Sequence, residues 1–234
     1  MKLLTPPEQL REIRQFEFFD DFLWHISTQW TNLASDTNSS VAIDADGVGG
    51  IVAINTGDAT DNNEAALAST NELFKFASDK PMMAEAKIQY AEHNTNAANV
   101  AFGWADAIGA NLVTDNGAAI TANSAALIFK KDGETTWRAY CENNGTTVET
   151  ASTTTAGGAS YQTLRIVVFP VDGTNVEVTY FVDGEPLRDS NGKAIKHTLA
   201  YASATEMDFG VYAKAGGAST HTVNVDYVYV AQLR

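Results

Sequence analysis

The sequence predicts an all-β protein, an antiparallel β-sandwich formed by a single domain. Three observations carry that reading. Apolar residues recur at period two in segment after segment, the spacing that puts every second side chain on one face of a sheet. Asp-Gly or Asn-Gly pairs fall between those segments, at 132–133, 144–145, 172–173, 183–184 and 191–192, and such pairs favour tight hairpin turns. Strands do not alternate with amphipathic helices, so a parallel α/β sheet is not expected.

Residues 1–15 read as an N-terminal arm and 16–234 as the sandwich domain. In the arm, Thr5 is placed as an N-cap, Pro6 and Pro7 suit a first helical turn, and Glu8 occupies the capping-box position. Leu10 and Ile13 then share one face. A helix this short is unstable alone. Leu3, Leu4, Leu10 and Ile13 are therefore the expected partner-binding residues, with docking on the arm's own sandwich as the alternative. The first strand is expected near Phe16.

Further strands are expected at 41–45, 50–55, 72–76, 82–92, 99–107, 125–130, 136–142 and 146–150. The alternation is clearest in the C-terminal half. It places Leu164, Ile166, Val168, Val178, Tyr180, Phe209, Val211, Val225 and Tyr227 in one core. About twelve or thirteen strands result. Residues 56–70 and 109–125, rich in Ala, Asn, Thr and Asp, read as long surface loops.

Composition narrows the function classes. Acidic residues number 29 and basic residues 15, a net charge of −14. A phosphate-backbone binder needs the opposite field, so no nucleic-acid partner is expected. No apolar run approaches ~18 residues, so no membrane-spanning helix is expected. The Pro pair interrupts any apolar leader, so standard export is not expected. The single Cys141 allows neither an intramolecular disulfide nor a Cys-based zinc site.

No catalytic, cofactor or metal constellation is complete. Asp44-Ala45-Asp46-Gly47 begins like a calcium loop but lacks ligands at Val48 and Asn55, and reads as a hairpin turn. His25, His93, His197 and His221 have no metal-ligand spacing and are expected at the surface or at strand edges. Cys141 reads as a small buried apolar group. Glycoside hydrolysis needs a pair of carboxylates flanking the bond. Glu206-Met207-Asp208-Phe209 matches the first half of a Glu-x-Asp-x-(x)-Glu pattern, but Val211 or Tyr212 stands where the second Glu would be. Enzymatic activity is therefore not expected. Among the tryptophans, Trp104 and Trp137 are expected in the core, whereas Trp24 and Trp30 could seal the N-terminal end.

Two segments carry a resemblance. The opening Phe16-Glu17-Phe18-Phe19-Asp20-Asp21-Phe22, with Trp24 and Trp30, resembles the first strand of concanavalin A-like jelly rolls. The run from Leu164 to Asp183-Gly184, then Met207 to Tyr212 and Val223 to Val230, resembles their last strands. From residue 16 the chain is also similar to tailed-bacteriophage head proteins of this fold. The similar segments include Gly49-Gly50-Ile51, the loop from Thr56-Gly57-Asp58 to Asn62-Asn63-Glu64-Ala65, Glu72-Leu73-Phe74-Lys75-Phe76, and Gly157-Gly158-Ala159-Ser160-Tyr161. That resemblance implies a capsid decoration, or cement, protein. It would be made in the host cytoplasm, bind major capsid protein subunits on the virion exterior, and act as a dimer or trimer without a cofactor. Carbohydrate binding on the virion is the alternative function, and glycoside hydrolysis a further one.

Overall fold

A computed structural model describes residues 15–91 and 97–233. The strands are β1 (Gln15–Asp20), β2 (Trp30–Leu33), β3 (Ser40–Ile43), β4 (Val52–Asn55), β5 (Glu64–Ser69), β6 (Met82–Tyr90), β7 (Ala98–Ala105) and β8 (Ser124–Lys130). They continue with β9 (Thr136–Asn143), β10 (Thr146–Thr155), β11 (Gln162–Pro170), β12 (Asn175–Val182), β13 (Glu185–Pro186), β14 (Lys196–Ala200), β15 (Asp208–Ala215) and β16 (Thr222–Leu233). One 3-10 turn at Asp115–Gly117 is the helical element among the described residues. The predicted arm residues Leu3, Leu4, Leu10 and Ile13 lie outside the described residues.

Two antiparallel sheets face each other. The nine-stranded sheet runs β13-β12-β11-β6-β16-β4-β3, with β1 paired to β16 and β14 to β12. The seven-stranded sheet runs β10-β9-β8-β7-β15-β5-β2. The antiparallel sandwich predicted from the sequence is thus the observed architecture, and, as the resemblance implies, the last strand pairs beside the first, Gln15 opposite Leu233 and Asp20 opposite Val228.

The alternation explains which sheet faces are inside. In β6, Met82, Ala84, Ala86, Ile88 and Tyr90 are buried while Met83, Glu85, Lys87 and Gln89 are half-buried on the outer face. Leu164, Ile166, Val168, Val178, Tyr180, Phe209, Val211 and Val225 all enter the core, as the spacing predicts. Tyr227 does not. The ladder between β16 and β6 shifts register at Asp226, with Val225 opposite Ile88 and Tyr227 opposite Lys87. That bulge inserts one residue and turns every later odd position outward. Val228 and Val230 take the inner places, and the Tyr227 hydroxyl donates to Glu85 at 2.7 Å on the outer face.

Three expectations are corrected. Residues 64–69 are a strand in the interior of the seven-stranded sheet, not part of a surface loop. Residues 72–76 form no strand; Phe74 makes an isolated bridge to Met207. Residues 109–125 are not a solvated loop, because Leu112, Val113, Ile120 and Ala122 are buried. The seven-stranded sheet is apolar on both faces at its centre, so its strands show no polar–apolar alternation: β7 and β8 are buried at every position.

Candidate functional site

The outer face of the seven-stranded sheet carries Asp208 of the half-motif, on β15. Its central positions are small. Ala66 and Ala68 of β5, Ala101 and Ala105 of β7, and Ala125 of β8 leave a trough in the sheet surface. Residues 106–123 lie in that trough. Ile108, Leu112, Val113, Ile120 and Ala122 pack with Leu127, Phe129, Tyr140 and Tyr212 into a second core, separate from the one between the sheets. Burial of these side chains holds the segment down.

Polar groups at one end of the trough fix its position. The Lys214 side chain is 1% exposed. Its ammonium donates to Asn111 Oδ1 at 2.8 Å, to the Val113 carbonyl at 3.2 Å and to Asp115 Oδ1 at 2.8 Å. Three acceptors match its three protons. Glu64, also buried, lies 3.9 Å from that ammonium and accepts the Asn111 backbone N–H at 2.8 Å. The Tyr212 hydroxyl donates to the same carboxylate. Burial, then this bond, pushes the Tyr212 hydroxyl well above the ordinary tyrosine range. A similar pair, Tyr140 donating to Glu142, sits on β9, with the Thr147 hydroxyl also donating to Glu142 at 3.1 Å. The sequence signal for this cluster was a lone Lys within Val211-Tyr212-Ala213-Lys214-Ala215 and a lone Glu before Ala65-Ala66-Leu67-Ala68. A charge within an apolar strand that is buried on both faces must be paired.

The half-motif does not assemble a carboxylate pair. Glu206 is exposed and reaches Lys75 at 3.7 Å. Val211 is buried in the core between the sheets, and Tyr212 is engaged with Glu64. Asp208 is half-buried on the outer face. Burial raises its carboxyl to about 6, helped by the charge of Glu72 and, more weakly, of Asp106, while a bond from the Ile108 backbone opposes the rise. A carboxyl whose folded pKa exceeds its unfolded value favours the folded state when protonated. Its cost is absent below about pH 4 and fully present above about pH 6. Because Asp208 keeps much of its hydration, that cost is only about 1 kcal/mol. Asp208→Asn is expected to raise the melting temperature by a few degrees at pH 7.5 and by little at pH 4. Equal shifts at the two pH values would refute this account.

The remaining candidates separate cleanly. The segment Asp44 to Gly47 is the hairpin turn between β3 and β4, with the Asp46 backbone N–H donating to Asp44 Oδ1 at 3.1 Å. Among the described residues no cluster of His, Cys, Asp and Glu has the geometry of a metal site. His25 is half-buried, but His197 and His221 are buried, against the expectation of surface or edge positions; His93 lies outside the described residues. His197 bridges the Thr150 and Tyr180 hydroxyls, each at 3.0 Å, and burial lowers it to about 4, so it is neutral at pH 7. Cys141 is buried, and its thiol is pushed up to about 12, chiefly by burial, which leaves it unreactive. Trp104 and Trp137 are in the core as predicted. Trp30 is buried against Phe18, Phe22 and Phe209, its indole N–H donating to Asp20 at 2.8 Å. Trp24 seals nothing: it is 75% exposed, in a loop that also exposes Leu23 and Ile26. Gly50 backs that loop, since a Cβ there would meet Asp21 O at 2.1 Å, and Val48 beside it is 95% exposed.

No protein-family model matches the chain, and no curated protein matches it. Solved structures do. An endo-1,3-β-glucanase from Streptomyces sioyaensis matches with a TM-score of 0.65 and 15% identity, over 99% of each chain. Arcelin-5, a lectin-like defence protein from Phaseolus vulgaris, matches with a TM-score of 0.58 and 10% identity, over 94% of this chain and 100% of its own. An endo-β-1,4-glucuronan lyase from the fungus Trichoderma reesei matches with a TM-score of 0.56 and 10% identity, over 91% and 94%. At these identities the likeness is one of fold, and the fold is that of the concanavalin A-like lectins and glucanases. The expectation that the chain is not an enzyme is corrected here. The same sandwich serves a glucanase and a lyase, and one fold hosts chemistry through whichever side chains its strands and loops present. An incomplete Glu-x-Asp pattern was too narrow a ground for excluding activity.

Proposed function

We propose that this protein is a structural virion protein that binds the outer surface of a phage capsid and reinforces the joints between its subunits. The observation that carries the reading is the filled outer face of the seven-stranded sheet. The trough that could have held an extended ligand is occupied by residues 106–123, so the prominent contact groups left are apolar side chains on the surface. Leu23, Trp24, Ile26 and Val48 are such groups, and exposed apolar residues grouped in this way mark interaction sites. The near-full-length resemblance to phage head proteins supports the same reading, as does a net charge of −14, which keeps a surface protein away from packaged DNA. Many repeated, individually modest contacts would then give tight attachment through avidity.

Carbohydrate binding on the virion is the second reading. It is favoured by the lectin-like and glycan-cleaving proteins that share the fold, and the exposed Trp24 ring is a surface on which a sugar could stack. One pair of measurements separates the two. Saturable binding to emptied capsids, weakened at least tenfold by Trp24→Ala together with Val48→Ser, is the expected result. Monomeric protein that ignores capsids, yet binds a glycan array through Trp24, would sink the capsid reading.

A further inference from the structure

Strand β10 is the longest that pairs on one side only. It has ten residues, against six in β1, five in β14, four each in β2 and β3, and two in β13. Its one ladder is with β9. The turn before it fixes which backbone groups are left over. Asn144 and Gly145 both have positive φ, 48° and 81°, the geometry of a two-residue hairpin of type I′. The residues flanking such a turn, Asn143 and Thr146, exchange both backbone bonds, and bonded and non-bonded positions then alternate along the ladder. Thr146, Val148 and Thr150 therefore direct their backbone groups to β9, opposite Asn143, Cys141 and Ala139. Thr147, Glu149 and Ala151 turn theirs away from it. Thr153 gives its N–H to the Arg188 carbonyl at 2.9 Å, and there the free stretch ends. Among the described residues Thr147, Glu149 and Ala151 have no backbone partner on that side. Edges of this kind are normally guarded by Lys, Pro, a bulge or mere shortness. From Thr146 to Ala151 the register is unbroken and no Lys, Arg or Pro occurs. Seven of the ten residues of β10 are Thr or Val, the β-branched types that favour strands.

We infer that this edge pairs with the same edge of a second copy, antiparallel across a two-fold axis, so that two seven-stranded sheets become one continuous sheet. Three observations identify the occupant as a copy of this chain. The first is self-complementarity: across a two-fold axis a row of outward N–H and C=O groups faces its own reverse. The second is that one register uses every free group. With Glu149 at the axis, Thr147 faces Ala151 of the partner subunit, and Glu149 faces its own counterpart. An axis at Thr150 would call on Thr153, which is already bound to Arg188, and an axis at Val148 would call on Gly145, inside the turn. The third is charge. Glu149 is the one charged side chain of β10, and Arg138 donates to it while also holding Glu134. Each copy thus brings its own counter-ion to the axis. Val148, half-buried at the rim of the core, comes beside Thr150 of the partner subunit and loses more of its exposed surface. The inference does not depend on the capsid reading, which stands or falls on its own test. A five-residue edge is a small interface, and a net charge of −14 on each copy opposes it at low salt. The dimer is therefore weak in dilute solution and strengthens with salt.

A cysteine at the axis tests the register. Bonded antiparallel pairs have Cα atoms ~5.5 Å apart, within reach of a disulfide, and the native Cys141 is buried and does not interfere. After mild oxidation Glu149→Cys should run mostly as a disulfide-linked dimer, several-fold more than Thr155→Cys, an exposed position of β10 beyond the free stretch. The light-scattering mass of the parent should rise from one chain toward two between about 10 μM and about 1 mM, and more steeply at about 0.5 M salt than at about 0.05 M. Ala151→Pro removes one outward N–H and leaves the β9 ladder intact, a place where an edge strand accepts proline. It should keep the circular dichroism of the parent and lose the rise in mass. Ala151→Lys gives the same readout if the proline variant does not fold. Equal cross-linking at positions 149 and 155 would overturn the proposal. So would a parent that stays monomeric at about 1 mM, a mass that climbs to a trimer, or a dimer that survives both changes at Ala151.

Discussion

Replacing Lys214 with methionine should lower the melting temperature by about 10 °C and release residues 106–123 to protease. Methionine fills a similar volume, so the loss is electrostatic rather than steric. The ammonium is held by Asn111, Val113 and Asp115, with Glu64 at 3.9 Å. Without it Glu64 keeps its bonds from Asn111 and Tyr212 but loses its nearest buried positive charge. Removing one member of a buried pair typically costs about 3–5 kcal/mol, and in a domain of this size each kcal/mol is worth about 2–4 °C. The double change Lys214→Met with Glu64→Gln should recover part of the loss, since the stranded charge is gone. Calorimetry on the single and double variants decides. A single variant as stable as the parent would mean that the pair does not hold the segment.

The same segment is buried without a local pattern in the sequence that marks it so. Strands such as β11 and β12 were legible, because each alternates at period two and each is followed by an Asp-Gly turn, at 172–173 and 183–184. β11 and β12 hold the alternating residues Leu164, Ile166, Val168, Val178 and Tyr180 that the sequence places in the core. Strand β5 was not legible. Glu64-Ala65-Ala66-Leu67-Ala68-Ser69 is buried on both sides, so small residues replace the alternation, and its Ala-rich composition resembles the loops around it. Residues 109–125 failed for the converse reason. Their apolar side chains are few and irregularly spaced, and only the trough of alanines, contributed by β5, β7 and β8, makes them a core. That trough exists in three dimensions and has no local signature. Tyr227 was lost to one inserted residue, Asp226, which the V-x-V-x-Y pattern conceals. The paired buried charges followed the same rule: Lys214 and Glu64 are 150 residues apart in the chain and meet only through the pairing of β15 with β5, Lys214 opposite Glu64.

Phe209→Ala is expected to be at least as damaging as the loss of Lys214, and for a different reason. Phe209 is 1% exposed, at the centre of the core between the sheets. Its ring centroid lies 5.7 Å from that of Phe102, 6.3 Å from Trp104, and 6.4 Å from both Trp30 and Phe74. Those four rings come from β7, from β2 and from the segment after β5, so one side chain ties the seven-stranded sheet to its edge. Phe74 in turn meets Phe16, at 5.9 Å, and so links the cluster to β1 of the other sheet. Truncating such a ring removes its transfer energy and leaves a cavity that large, rigid neighbours cannot collapse into; the usual cost is about 3–5 kcal/mol. Ring–ring contacts add about 0.5–1.5 kcal/mol each beyond burial, and their partial loss puts Phe209→Ala at the upper end of that range. Phe209→Leu should cost less than half as much, because it restores most of the volume. The contrast matters for the neighbouring Asp208, on the opposite face of the same strand. Asp208→Asn should stabilise at pH 7.5, whereas Phe209→Ala should destabilise equally at pH 4 and pH 7.5. A pH-dependent loss in Phe209→Ala would mean that the two faces of β15 are coupled, and the division into two separate cores would fall.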